Sequence, residues 1–193
     1  VQEDDVNPLN IHPDYECWAE LKLFFEKMCQ FCARIGDTHF TIIRPSNIYG
    51  PYDHFDLVRG HVFAATITKI MTATDSMVVK GDGSERRDFL HVYDLIKAIE
   101  SAVTQKLPKY KVLNIGSGIL VTIKELAEKI KAISGRNISI AYDTSYKGID
   151  VSIALDATRA WKYLGWQPKI DLNQGIRQTI DWYLKNKEGQ SGK

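Results

Sequence analysis

Nowhere in these 193 residues does an apolar run approach the roughly 18 residues that a membrane-crossing helix needs, so no such span is expected. Net charge is nearly missing too. Lys and Arg total 25 against 24 for Asp and Glu, and the resulting +1 gives no general attraction to nucleic acid or to an anionic membrane. Cysteine is scarce: Cys17, Cys29 and Cys32 are the 3 present, all in one predicted helix. A redox C-x-x-C normally opens a helix, where the dipole lowers the thiol pKa. Cys29 and Cys32 instead lie mid-helix beside Met28 and Phe31 and read as small packing residues. With no second pair, no metal site is expected, and the default setting is reducing and cytoplasmic. The first residues, Val1-Gln2-Glu3-Asp4-Asp5, are acidic and offer neither a signal peptide nor an initiating methionine, so the chain reads as beginning mid-protein. The absence with the widest consequence concerns glycine. No G-x-x-G-x-x-G or G-x-G-x-x-G follows a strand, so nothing here cradles a dinucleotide pyrophosphate on a helix N-terminus. Gly116-Ser117-Gly118 does follow a strand, but it lacks the third glycine and an acidic residue ~20 positions on.

What is present is an ordinary globular composition, 44% hydrophobic and 25% charged, enough for one core or for one domain and part of another. Residues 1–14 read as a polar loop. From Tyr15 to Ile35 the apolar positions Leu21, Phe24, Phe25, Met28, Phe31, Cys32 and Ile35 recur at three and four, which predicts a helix with one broad buried face, stopped by Gly36. Thr38 to Ile43 is β-rich and ends at Arg44-Pro45, a strand. After turns through Asp56, Leu57 to Thr74 reads as a second helix. Met77 to Val79 and Lys111 to Ile115 read as strands, with a helical Tyr93 to Thr104 between them. Thr122-Ile123-Lys124-Glu125 spells a capping box and opens a helix that closes at Ser134-Gly135. Ile138 to Ile140 is a strand, Ala157 to Leu164 a short helix and Leu172 to Lys187 a last one. Strands alternating with helices, without repeats, place the chain in the α/β class.

Four segments then occur in order: Arg44-Pro45-Ser46-Asn47-Ile48-Tyr49-Gly50-Pro51, the run Gly81 to Asp94 containing Arg87-Asp88-Phe89-Leu90-His91, Asn114-Ile115-Gly116-Ser117-Gly118, and Leu164-Gly165-Trp166-Gln167-Pro168 with Gly175-Ile176 and Trp182-Tyr183. Together they resemble the C-terminal portion of the extended short-chain dehydrogenase/reductase family, the NAD-dependent epimerases and dehydratases of nucleotide-sugars. The resemblance implies an NAD or NADP cofactor, with Pro45 in the segment beside the nicotinamide. It also implies a nucleotide-sugar substrate whose diphosphate is held by Arg87. A planar guanidinium suits that task because it binds phosphate oxygens at two points; a surface or interface salt bridge is the alternative. Arg86 points the other way along extended backbone. Asn47 offers both a donor and an acceptor to a sugar hydroxyl or the diphosphate, or else makes a turn. Asp88, His91 and Asp94 read as ties between this loop and the next helix. Lys147, in a Lys-Gly segment, is a further candidate for the diphosphate.

A finer likeness, in Asn47 to Asp56 and Gly60-His61-Val62, is to the GDP-fucose synthase branch, and it implies that His61 serves as the acid in epimerisation; a cap or surface role at the helix start is the alternative. Imidazole suits proton transfer near neutral pH. The family's acid/base, Tyr-x-x-x-Lys on a helix, is not intact. In the best register Lys22 supplies the lysine, which contacts cofactor, and Trp18 stands at the tyrosine. Indole only donates and cannot exchange a proton in this range. Tyr15 shares the helical face, but seven residues from Lys22 is ~10 Å along the axis. Three alternatives stay open: a degenerate homologue that binds sugar nucleotide without redox chemistry, use of Tyr15 through a distorted helix start, or a register shifted by an insertion.

The expected architecture is α/β: a partial Rossmann-like parallel sheet plus a small mixed α/β substrate-binding domain. Residues 1–75 are the remnant of the dinucleotide-binding domain, and 76–193 are mainly the sugar-nucleotide-binding domain. The favoured function is a nucleotide-sugar epimerase, dehydratase or reductase acting on an NDP-hexose, a GDP-sugar first. The alternative is a catalytically degenerate binding or subunit protein. Exposed sheet would call for a homo-oligomer or for association with a missing N-terminal half.

Overall fold

The structure is a computed structural model that describes residues 1–6, 11, 13–146 and 152–186. A long helix, α1 (Glu16–Ile35), precedes strand β1 (Phe40–Pro45) and the short β2 (Asn47–Tyr49). Helix α2 (Val62–Thr72), β3 (Ser76–Lys80), β4 (Arg86–His91) and α3 (Val92–Thr104) follow. Then come β5 (Tyr110–Ile115), β6 (Leu120–Thr122), α4 (Ile123–Ser134), β7 (Ser139–Asp143), α5 (Thr158–Leu164) and α6 (Leu172–Asn186). The strands form three small sheets: β1 beside β5, β2-β4-β6, and β3 beside β7. All neighbours run parallel except β4 and β6. This is the α/β class expected from the alternation of elements.

The β1–β5 pair carries helices on both faces. Ile43 packs into a core with Leu113, Ile115, Ala98 of α3 and Leu164 of α5. Its neighbour Arg44 points the other way, as strand alternation requires, and forks onto Glu26 of α1 at 2.8 and 2.6 Å. A second core joins α2, α4 and α6 beneath Met77 and Val79 of β3, with Tyr49 and Phe89 at its edge. There the Tyr49 and Phe63 rings stack at 3.9 Å. Local chemistry sets the boundaries. The Thr122 hydroxyl accepts from Glu125 N at 3.0 Å while Glu125 accepts from Thr122 N at 2.8 Å, the capping box that opens α4. Gly135, at φ 67°, closes it.

Several expectations need correction. The apolar stripe of α1 is not buried: Leu21, Phe24, Phe25, Met28, Phe31 and Ile35 are exposed, and Ala33 alone of this helix is fully buried. The helix rests on the sheet through its small-residue side, near Ala33 and Glu26, which turns the wide apolar arc outward. Helix α2 starts at Val62 and not Leu57, because Asp56 Oδ1 accepts from Val58 N and Arg59 N, both at 2.7 Å, and spends those residues in a turn. Strands β2, β4 and β6 were not foreseen. They are short, and β4 carries Arg86, Arg87 and Asp88, a poor strand spelling that tertiary pairing overrides. The acidic start is no simple loop either: Glu3 is buried, accepts from Asn114 N at 2.8 Å and faces Arg159 at 3.4 Å. Lys187, the expected end of the last helix, lies outside the described residues.

Gly175 gives a test of this packing. Within an exposed helix, Gly to Ala gains about 1 kcal/mol from propensity alone. Here a Cβ at Gly175 would run into the Tyr49 hydroxyl and lie 2.7 Å from its Cζ. Gly175→Ala is therefore expected to destabilise the fold by about 1–3 kcal/mol in urea denaturation. A gain in stability would show that α6 does not close against Tyr49 as described.

Candidate functional site

A cavity of about 710 Å³ opens above the ends of β2 and β4. Its walls come from Ser46 to Asp53, from the start of α2 at His61 to Phe63, from Glu85, Arg87 and Phe89, and from Tyr15. A cavity of about 370 Å³ adjoins it through Tyr15, Ser46, Asn47 and Arg87, and adds Pro45, Ile153 and Leu155. On the other side, Glu85 and Arg87 are shared with a cavity of about 250 Å³ that also holds Lys69, Lys80 and Tyr146. Arg87 is thus common to all three.

Its position follows from its neighbour. Asp88 is fully buried, and its carboxylate accepts from Ser117 N at 2.9 Å, Ser117 Oγ at 2.6 Å, Gly118 N at 3.1 Å and Leu155 N at 3.0 Å. Strand alternation then sends Arg87 to the opposite face, toward the cavities. The Arg87 guanidinium is half-buried, pairs with Glu85 at 2.9 Å and donates to Arg86 O at 2.9 Å. Arg86 itself is exposed. Asn47 donates from Nδ2 to Asp88 O at 3.0 Å, so its amide orientation is set by the β2–β4 pairing.

The floor is close-packed. A Cβ on Gly50, at φ 141°, would meet Val92 Cγ1 at 2.7 Å and His91 Nε2 at 3.2 Å, so only glycine lets the chain pass there. His91 is buried and accepts from Tyr93 N through Nδ1 at 3.3 Å, which caps α3. Asp94 accepts from Lys169 N and Ile170 N at 3.1 and 2.9 Å and locks the segment before α6. Burial, reinforced by the charges of Asp94 and Asp171, raises the Tyr49 phenol far above its ordinary range. Tyr52, on the rim, holds a left-handed backbone at φ 67° with its ring largely exposed.

Of the residues singled out from sequence, Tyr15, Asn47, His61 and Arg87 are brought together around the large cavity, and Pro45 lines the adjoining one. His61 stands at the N-cap of α2 but makes no capping bond through its side chain. Lys22 is exposed on α1 and lines none of these cavities. Trp18 is 68% exposed and lines none of them either. Lys147 lies outside the described residues. Sequence reasoning missed Ser46, Asp53, Glu85, Lys69 and Lys80. Ser46, Asp53 and Glu85 lie inside segments already noted, so membership of those segments was the available signal. Lys69 and Lys80 belong to no motif and meet only because α2 packs beside β3. Burial, then the charge of Lys80, holds the Lys69 ammonium below the usual lysine range.

Comparison with known proteins bears on this geometry. The model of the NAD dependent epimerase/dehydratase family matches residues 2–116. This chain belongs to that family. Among curated relatives, GDP-L-fucose synthase 1 of Arabidopsis thaliana is 36% identical over 194 residues, covering 96% of this chain and 58% of that protein. The GDP-L-fucose synthase of Escherichia coli K12 is 31% identical, covering 97% of this chain and 62% of that one. Among solved structures, the UDP-glucose 4-epimerase of Thermotoga maritima, determined with UDP-glucose, superposes with a TM-score of 0.84 at 27% identity, over 96% of this chain and 57% of that one. MoeE5, determined with UDP-glucuronic acid and NAD, superposes at 0.82 with 25% identity, over 96% and 60%. The family is thus one of nucleotide-sugar epimerases and reductases with a Rossmann-like fold and a nicotinamide cofactor. This chain spans 54% to 62% of the length of the first curated relatives it matches. Among the described residues no helix is long and apolar enough to cross a membrane, and no His, Cys, Asp and Glu cluster could hold a metal.

The buried imidazole under this family's pocket makes a pH test. Burial lowers the His91 pKa below the ordinary imidazole value of 6.5, partly offset by Asp94. The unfolded chain therefore takes up a proton near 6.5 that the folded chain resists, so the contribution is complete above that pH and is lost as pH falls below it. Thermal midpoints are expected to drop between pH 7.5 and 5.5. That drop should shrink in His91→Asn, which keeps an acceptor for Tyr93 N. An undiminished drop in the variant would assign the loss to other groups.

Proposed function

We propose that this chain forms the substrate side of an NAD(P)-linked epimerase or reductase acting on an NDP-hexose, with a GDP-sugar favoured. The observation that carries this is the placement of Arg87 at the junction of three cavities. Its fork suits a diphosphate lying between the 250 Å³ cavity, with Lys69 and Lys80, and the 710 Å³ cavity, with room for a sugar. Asn47 stands beside it. Lys147 remains a candidate for the same diphosphate. The boundary near residue 75, between cofactor-side and substrate-side segments, is part of this proposal, as is a cytoplasmic setting.

The residues around the 370 Å³ cavity fit one side of a nicotinamide. Pro45, Ile153 and Leu155 offer apolar surface to a ring, and Asn47 offers a hydrogen bond to a carboxamide. A bound nicotinamide supplies hydride transfer; the choice between NAD and NADP is not encoded in these residues. His61 and Tyr15 are the proton-exchanging groups at the large cavity, His61 for epimerisation and Tyr15 for the sugar oxygen. A second reading has its own support: Trp18 stands where the family has its tyrosine, and Lys22 is outside the cavities, which favours sugar-nucleotide binding without redox chemistry. Calorimetric titration with GDP, UDP, dTDP and CDP tests what both readings share. One nucleotide is expected to bind, and Arg87→Ala to weaken it at least about tenfold. No binding of any nucleotide to the unaltered chain would end both.

We also propose that a second copy covers α1. Cys17, Leu21, Phe24, Met28, Phe31 and Ile35 alternate steps of four and three, the seam of a helix pair. On one flank Glu16 and Glu20 precede Lys27 and Arg34, so antiparallel copies oppose unlike charges. Sedimentation is expected to show a dimer that Phe24→Glu dissociates. A monomer at high concentration would leave an N-terminal half, supplied as a separate chain, as the partner to test.

A further inference from the structure

Two oxygens in the wall of the large cavity are left over once the hydrogen bonds of the described residues are assigned. Ser46 Oγ and Asp53 Oδ2 are both buried and have no partner among those residues. Both residues line the 710 Å³ cavity. The rest of the Asp53 turn is satisfied: Oδ1 accepts from His54 N at 2.7 Å, and Asp53 N donates to Gly50 O at 3.3 Å. A carboxylate anchored by one oxygen and orphaned at the other is costly unless a donor arrives from outside the chain.

The cavity is also polarised. Its cationic end is Arg87, paired with Glu85, together with Lys69 and Lys80, which outweigh that one carboxylate, and Asp53 is in the part that the 250 Å³ cavity does not share. A phosphate is drawn to the first end and repelled from the second. What meets Asp53 is therefore uncharged and rich in donors. The hydroxyls of a hexose attached to that diphosphate have this character, and the Ser46 hydroxyl can give or take the next hydrogen bond.

We propose that Asp53, assisted by Ser46, determines specificity for the hexose: Asp53 Oδ2 accepts a hydrogen bond from a sugar hydroxyl and Ser46 Oγ exchanges one with its neighbour. The inference rests on the nucleotide-sugar reading above and adds to it the residues that read the sugar and not the nucleotide. Neither residue transfers a proton. A site built around a hydroxyl discriminates strongly against a ligand lacking it, because the buried carboxylate is then left unpaired.

The test is the increment in affinity that the sugar adds. The chain, Asp53→Asn and Ser46→Ala are titrated with GDP and GDP-mannose, and with UDP and UDP-glucose. Asn retains an acceptor for His54 N, so the turn survives, and thermal midpoints check the fold of each variant. For the base that binds, the ratio of sugar-nucleotide to diphosphate affinity is expected to fall about tenfold in Asp53→Asn and less in Ser46→Ala. The nucleoside diphosphate alone should bind all three within about twofold. An unchanged ratio overturns this proposal and leaves the nucleotide-sugar reading standing. Equal loss of both ligands in Asp53→Asn overturns it too, by making Asp53 a purely structural residue. Absence of nucleotide binding by the unaltered chain overturns the reading and this inference together.

Discussion

The site depends on one buried carboxylate. Asp88 gathers four donors from the 117–118 turn and from Leu155, while its carbonyl takes the amide of Asn47. An anion with no exposure is tolerable only because those N–H and O–H groups replace water around it. Because β4 alternates, fixing Asp88 inward fixes Arg87 outward. A side chain that faces no cavity thereby sets two that do. Gly116 belongs to the same arrangement, since a Cβ there would lie 2.7 Å from Asp88 Oδ2.

A second constraint comes from α1, which is apolar on a face the chain itself does not cover. It is tied to β1 by the fork of Arg44 on Glu26, whose third arm donates to Glu3 O at 2.9 Å. At the start of the same helix Tyr15 lines the large cavity while Trp18, three residues on, turns outward. Lys22 does not line that cavity. The remaining polarity of the cavity, cationic at Arg87 and anionic at Asp53, suits a ligand with one charged and one neutral polar half.

Much of this was legible in the residues. The capping box at Thr122, the glycine stop at Gly135, the period of α3 and the apolar runs of β1 and β5 are local signals, and local signals survive folding. The likeness carried by Asn47 to Pro51 and Arg87 to His91 located the principal cavity. The failures have a common cause. The apolar stripe of α1 was read as buried because periodicity reports that a face is apolar, not what covers it. Strands β2 and β4 were missed because their charged and turn-forming residues pair only across distant chain, and Lys69 and Lys80 meet Arg87 for the same reason.

The sequence by itself determined the class of the fold, most element boundaries and the identity of Arg87, Asn47 and His61 as candidates, because spacing, capping and motif order are properties of neighbouring residues. Only the tertiary structure decided that Tyr15 and not Lys22 or Trp18 reaches the cavity, that Ser46 and Asp53 carry orphaned oxygens, and that Gly175 packs against Tyr49 with no room for a Cβ. Each of those depends on which remote atom occupies the adjoining few ångströms, and chain order does not specify that distance.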